Sequence, residues 1–239
     1  MDKFIRSRNQ LVINSHSVEI IEFDENGLYD KLPEEYGIEM PFSLDRAVAK
    51  RKAEFIAGRI ACRRLLDSYG NSGQVSINAD RSPAWPDGFT GSISHDGRIA
   101  CAVVLPRAGE NSGIGIDLCV SMTDQNALEV ADNICIFNEI SQFDSIQLPT
   151  MDALRVIFSA KESLYKSIYP IIRRFVDFKE VLISSVTGTP DEGIITFTAA
   201  NRNDLPLSVV EEFHVHYRRF GHNGITGFIT LACNRISCD

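Results

Sequence analysis

FSAKESLYK, residues 158–166, follows the plan of FIAGRIACR, residues 55–63: each opens on Phe, places Ala two residues on and carries a basic residue, Lys166 or Arg63, at offset eight. Around the earlier copy, Ala47, Phe55, Ile56, Ile60, Leu65 and Leu66 recur at helical spacing within residues 44–70. The run stops at Gly70, so the segment reads as a helix with one strongly basic side. Around the later copy, residues 151–175 form a second helix candidate, broken or kinked near Pro170, whose ring removes a ladder donor. A further match, HDGRIACAVV (95–104) with HNGITGFITL (222–231), gives each half a His-Asx-Gly turn that launches a strand.

Strand signals fill in the rest of the plan. VSIN (75–78), GSISH (91–95) and RIACAVVL (98–105) are rich in β-branched residues and are separated by Pro83, Pro86, Asp87 and Gly88. The second half offers VLISSV (181–186), GIITFTA (193–199), FHVHYRRF (213–220) and ITGFITLAC (225–233). The expected architecture is α+β, two similar α/β halves spanning residues 1–110 and 111–239, joined near PRAGENSG (106–113), with a site between them.

Composition narrows the function. A chain of 239 residues, 44% hydrophobic and 23% charged, is globular in pattern and long enough for one large core or two ordinary ones. Its formal charge of -8 argues against a non-specific nucleic-acid binder, so any anionic ligand must be met by local clusters of cations. Six cysteines, at positions 62, 101, 119, 135, 233 and 238, show no CxxC spacing and read as reduced thiols of a cytoplasmic protein. The opening MDKFIRSRNQLVINSHSVEI interrupts its apolar residues too often for a secretory signal, and no run has the roughly eighteen apolar residues of a membrane span.

GIGIDLC, residues 113–119, raises the chemical question. On a strand, Ile114, Ile116 and Leu118 share one face, and Gly115, Asp117 and Cys119 the other. With the apolar face inward, Asp117 stands beside a bare glycine, as if room were kept for a ligand; a strand-end aspartate capping the next turn is the plainer alternative. A buried carboxylate needs a partner in either case.

Where the first helix has Gly58-Arg59, the second has Lys161-Glu162, with Lys166 one turn beyond. Glu162 and Lys166 share a helix face, an arrangement that also decorates solvent-exposed helices. Asp117 and Glu162, two carboxylates from different elements, suit Mg²⁺, which takes few protein ligands and keeps water and phosphate oxygens. Arg51 and Arg59, eight apart and so about two turns, share a face; Arg81 precedes the rigid SPAWP turn, and Ser94-His95 closes a strand. Guanidiniums, a histidine and a hard cation together fit a phosphate-rich ligand. GxxxxGK[ST], GxGxxG, GxSxG and HExxH are all absent, which removes the P-loop, dinucleotide-fold, serine-hydrolase and zinc-peptidase readings.

The ordered stretches AKRKAEFIAGRIACRRL, RSPAWPDGFTGSISH, GIGIDLC and FSAKESLYKS resemble the 4'-phosphopantetheinyl transferases, in the branch typified by enterobactin synthase component D, over roughly residues 43–170. The resemblance implies two pseudo-symmetric subdomains with coenzyme A and Mg²⁺ in the cleft between them. It also implies a reaction in which a serine hydroxyl of an apo acyl or peptidyl carrier protein attacks the β-phosphate of coenzyme A. Phosphopantetheine is transferred and adenosine 3',5'-bisphosphate released, in the service of siderophore or other nonribosomal peptide or polyketide synthesis.

By motif position, Asp117 and Glu162 are the implied metal ligands, Glu162 the proton acceptor, and Lys161 and Lys166 the lysines near the pyrophosphate. His95, beside Ser94, matches the phosphate-binding histidine; Arg51, Arg59 and Arg81 match the cations around the nucleotide's phosphates. Glu139 falls where many members keep another acid. Cys119 departs from the usual GIDxE, and a thiol is a poor ligand for a hard cation. A weakly active or inactive coenzyme A-binding homologue, and an unrelated Mg²⁺-dependent phosphohydrolase, are the competing readings. The carrier's docking face has one candidate, IIRRF (171–175), and a monomer is expected because the site lies within one chain.

Overall fold

The computed structural model describes residues 3–109, 112–200 and 212–235. Cys238 and part of the expected joint, residues 110–111, lie outside the described residues. The chain divides into two compact units, Met1–Arg107 and Ala108–Asp239. Each is a mixed α+β unit in which one long helix covers an antiparallel sheet.

In the first unit the elements run β1 (Ile5–Ile13), β2 (His16–Phe23), α1 (Leu32–Glu35), α2 (Ala49–Ser68), β3 (Ser76–Ile77), β4 (Pro83–Ala84), β5 (Phe89–Asp96) and β6 (Ile99–Pro106). The main sheet has the order β1-β2-β6-β5, with β3 and β4 paired separately. Helix α2 buries Phe55, Ile56, Ile60, Leu65 and Leu66 with Ile21, Phe23, Ala100, Ala102 and Val104 of the sheet. Each large apolar side chain so buried stabilises the unit by about 1.5–3 kcal/mol. Spacing rules give no element over residues 3–23, yet β1 and β2 form a hairpin there. The outer strand, IRSRNQLVI, is half exposed and carries Arg6, Arg8, Asn9 and Gln10, which hide its period of two.

The second unit contains β7 (Ser112–Cys119), α3 (Asp124–Ile134), α4 (Phe137–Ser141), α5 (Thr150–Ile172), β8 (Val181–Gly188), β9 (Glu192–Ala199), β10 (Phe213–His222) and β11 (Ile225–Arg235). Its sheet runs β7-β11-β10-β9-β8, antiparallel throughout. Helix α5 lays Val156, Ile157, Ala160, Leu164 and Ile168 into a core with Val215, Tyr217, Phe228 and Ala232. Pro170 sits inside its last turn, and Arg173 closes the helix in the left-handed region at φ 52°. The two His-Asx-Gly motifs both lie at hairpin turns, β5 to β6 and β10 to β11, but one residue out of step, the turn being Gly97-Arg98 in the first and Asn223-Gly224 in the second; Gly97 at φ 59°, and Asn223 and Gly224 at 47° and 78°, supply the left-handed conformations such tight turns need.

Candidate active site

Strand β7 supplies the carboxylate of GIGIDLC, and the reason for its glycines differs from the sequence expectation. The face bearing Gly113, Gly115 and Asp117 is not left open for a ligand. A Cβ at Gly115 would lie 1.8 Å from the Ser163 carbonyl oxygen and 2.7 Å from the Ser167 nitrogen, and one at Gly113 would lie 1.8 Å from the Ser167 carbonyl oxygen. Helix α5 therefore rests on the bare backbone of β7, closer than any side chain would permit. Asp117 is the next residue on that face, and it projects where the helix carries Lys166.

That lysine is the partner the buried aspartate requires. Asp117 is 5% exposed, and its Oδ1 accepts a hydrogen bond from Lys166 Nζ at 2.6 Å; the same ammonium reaches the Ile116 carbonyl at 3.2 Å. Glu162, one turn earlier on α5, belongs to the same electrostatic cluster. Burial pushes its carboxyl above the ordinary carboxylate range, Lys166 opposes the shift and Asp117 adds to it.

A raised carboxyl affects stability with a definite sign. The folded protein holds the Glu162 proton more tightly than the unfolded chain, whose value is near 4.5, so stability falls as pH rises from there through the folded value. Glu162→Gln removes that loss. Its melting temperature, read by circular dichroism in the presence of a chelator, is expected to match the wild type below pH 4.5 and to exceed it at neutral pH. A variant less stable at neutral pH would contradict the desolvation account.

Lys161 has surroundings different from those of Lys166. The resemblance places it near the pyrophosphate, but its side chain is 1% exposed. Its Nζ lies 2.8 Å from Glu139 Oε1 and donates to the Phe178 carbonyl at 2.9 Å. Glu139 is equally buried and accepts from the backbone N–H groups of Ile136 and Ile183, both at 2.9 Å. Burial pulls the Lys161 ammonium below its ordinary range against the pull of Glu139. This buried pair ties α4 and β8 to α5 and leaves Lys166 as the lysine beside the carboxylates.

In the first unit, Arg51 on α2 and His95 on β5 meet, Arg51 Nη1 lying 2.9 Å from His95 Nε2. Ser94, on the same strand, is buried. Arg59 behaves differently from the neighbour it was paired with in sequence. Its Nε donates to the Val75 carbonyl at 2.6 Å and its Nη2 to that of Ser76 at 3.1 Å, while the guanidinium stacks 4.3 Å over the Phe55 ring. Two of its donors thus hold the 75–76 segment. Arg81 is exposed at a turn, with φ 70°. The sequence reading passed over Glu54, whose Oε2 lies 3.4 Å from Arg51 Nη1 and 3.6 Å from His95 Nδ1. The available signal was its spacing of three residues from Arg51 on a helix.

The donor set can be tested against a divalent metal. Among the described residues no group of three His, Cys, Asp or Glu side chains is arranged to hold a metal ion. Two carboxylates within one electrostatic cluster still suit a hard cation that completes its shell with water and phosphate oxygens. Cys119 is buried, 1% exposed, and offers only a soft sulfur. The two carboxylates therefore suit a hard divalent cation that takes its remaining ligands from water and a phosphorylated ligand.

Comparison with known proteins identifies the family. The family model for the 4'-phosphopantetheinyl transferase N-terminal domain matches residues 40–105, and that of the 4'-phosphopantetheinyl transferase superfamily matches residues 113–215. Enterobactin synthase component D of Salmonella typhimurium is 33% identical over 77% of this chain and 76% of its own length. The protein of the same name from Escherichia coli K12 is 35% identical over 67% of this chain and 75% of its own. The 4'-phosphopantetheinyl transferase PptT of Mycobacterium tuberculosis is 32% identical over 65% and 66%. The chain belongs to the 4'-phosphopantetheinyl transferase family and is an enzyme of that class. Within the family it stands in the enterobactin synthase component D branch. Among the described residues no helix is long and apolar enough to cross a membrane, and none of the five described cysteines is in a disulfide.

Proposed function

We propose that this enzyme transfers the 4'-phosphopantetheine group of coenzyme A to a serine hydroxyl of an apo acyl or peptidyl carrier protein, releasing adenosine 3',5'-bisphosphate. The observation that carries this reading is the Asp117–Lys166 pair with Glu162 beside it, held on a strand and helix of a chain in this family. Asp117 and Glu162 would hold Mg²⁺, which when bound neutralises charge on the pyrophosphate. Glu162, whose proton affinity burial raises, is suited to accept the proton of the serine hydroxyl, directly or through water. Lys166 turns its ammonium to the phosphoryl oxygens as charge develops there. Arg51, Arg59, Arg81, Ser94 and His95 are assigned to the nucleotide's phosphates, Arg59 contributing only the donors its two carbonyl contacts leave.

The relatives named as enterobactin synthase components favour a carrier protein of siderophore or nonribosomal peptide assembly as the acceptor. A cytoplasmic monomer is the working form proposed, in keeping with the thiol state of the described cysteines. For an acidic carrier, Arg173 and Phe175, both exposed at the end of α5, are the proposed docking residues.

The test is intact-mass spectrometry of an apo-carrier protein incubated with the enzyme, coenzyme A and Mg²⁺. Transfer adds one phosphopantetheine, about 340 Da, and Glu162→Ala is expected to lower the rate at least about a hundredfold, the scale of a positioned proton acceptor. Breakdown of coenzyme A without a carrier would indicate a hydrolase. Coenzyme A binding with no mass gain on several carriers would indicate an inactive homologue, a reading motivated by the sulfur of Cys119.

A further inference from the structure

A carboxylate stands where the proposed function expects an anion. Glu54 lies on α2 with its side chain 12% exposed, and its Oε2 faces both Arg51 Nη1, at 3.4 Å, and His95 Nδ1, at 3.6 Å. Left to itself, a negative charge there would repel a phosphate and weaken its binding. The histidine resolves the contradiction. Arginine only donates, so the 2.9 Å contact between Arg51 Nη1 and His95 Nε2 makes Nε2 the acceptor and leaves the ring proton on Nδ1, the nitrogen that faces Glu54. The carboxylate thereby sets both the tautomer and the direction of the ring, as second partners of functional histidines commonly do. It also holds the Arg51 fork against the ring, since Glu54 is three residues beyond Arg51 on one helix face.

We infer that Glu54 is a positioning residue for coenzyme A. By holding the His95 ring as the acceptor of one Arg51 N–H, it fixes the guanidinium so that the remaining donors of Arg51 receive a phosphate oxygen of the ligand. This rests on the assignment of Arg51 and His95 to the phosphates of coenzyme A. Glu54 touches neither the ligand nor the reacting atoms, so its removal acts on binding and leaves the chemical step alone.

Coenzyme A affinity, measured by calorimetry with full-length protein, separates the possibilities. Glu54→Ala is expected to weaken binding about tenfold, the worth of one charge-assisted hydrogen bond, with kcat changed less than about twofold. Glu54→Gln, which keeps an acceptor oxygen, restores most of the affinity. In a His95→Ala background Glu54→Ala costs less than in the wild type, because the ring it positions is gone and only its direct hold on Arg51 remains. Imidazole ¹⁵N shifts are expected to show the Nδ1–H tautomer of His95 in the wild type and in Glu54→Gln, and a tautomer mixture in Glu54→Ala. Tighter or unchanged coenzyme A binding by Glu54→Ala, additive losses in the double variant, or an unaltered tautomer would overturn the inference while the phosphate assignment stood. Unchanged binding by His95→Ala would overturn that assignment, and the inference with it.

Discussion

Gly115→Val is expected to yield a protein that has lost about 3 kcal/mol of stability or more, with transferase activity falling in step. The new Cβ would sit 1.8 Å from the Ser163 carbonyl oxygen and 2.7 Å from the Ser167 nitrogen. These are backbone atoms inside a helix, so no rotamer change can clear them. Overpacking a core costs about 1–3 kcal/mol where side chains can shift, and more where a backbone must move. Here α5 would have to lift from β7, or β7 leave its register with β11, in which Gly115 faces Ala232 and Asp117 faces Thr230. Either movement separates Lys166 from Asp117. Urea denaturation provides the measurement; a loss under about 1 kcal/mol would mean that the helix does not rest on the strand's main chain.

Lys161→Met is expected to cost about 3–5 kcal/mol, the usual penalty for leaving a buried charge without its partner. Glu139 would keep its two backbone donors, Ile136 and Ile183, but lose the ammonium 2.8 Å away. The double variant Lys161→Met, Glu139→Gln recovers part of the loss, because a neutral amide oxygen can still accept from a backbone N–H. It does not recover all, since two N–H groups then share one good acceptor. Chemical denaturation at neutral pH reads both variants. Near-normal stability of Lys161→Met, combined with a large rise in KM for coenzyme A, would return Lys161 to the pyrophosphate role that its motif position suggests.

Much of this arrangement was legible in the sequence, for identifiable reasons. The long helices were readable because their apolar residues keep helical spacing over more than five turns each, and the paired His-Asx-Gly turns gave away two hairpins. The carboxylates were readable because Asp117 interrupts an apolar strand and Glu162 follows the local repeat. Hairpin β1–β2 was obscured by the charges of an edge strand; α3 carries Ala127, Val130, Ala131 and Ile134 at helical spacing on the face that meets the core, a signal the sequence reading passed over. The division of labour between adjacent lysines was beyond reach. Lys161 and Lys166 differ in partner because α5 turns one toward Phe178 and the other toward β7, and that depends on tertiary packing. The function of the glycines was misjudged for the same reason: a bare strand face means close approach, and only the fold shows whether a ligand or a helix approaches.

Main-chain contact between β7 and α5 also bears on how the protein can change over evolutionary time. In most cores the spacing of two elements follows the thickness of the apolar layer, so each exchange of Val for Ile or Leu nudges whatever the elements carry. Here the separation at Gly113 and Gly115 is set by peptide groups, which no substitution in the surrounding core can resize. A lineage can therefore exchange the apolar residues of this unit one by one while the carboxylate and the ammonium keep their distance. Mutational robustness at the carboxylate-bearing end of the strand is thus obtained by giving up all variability at two positions.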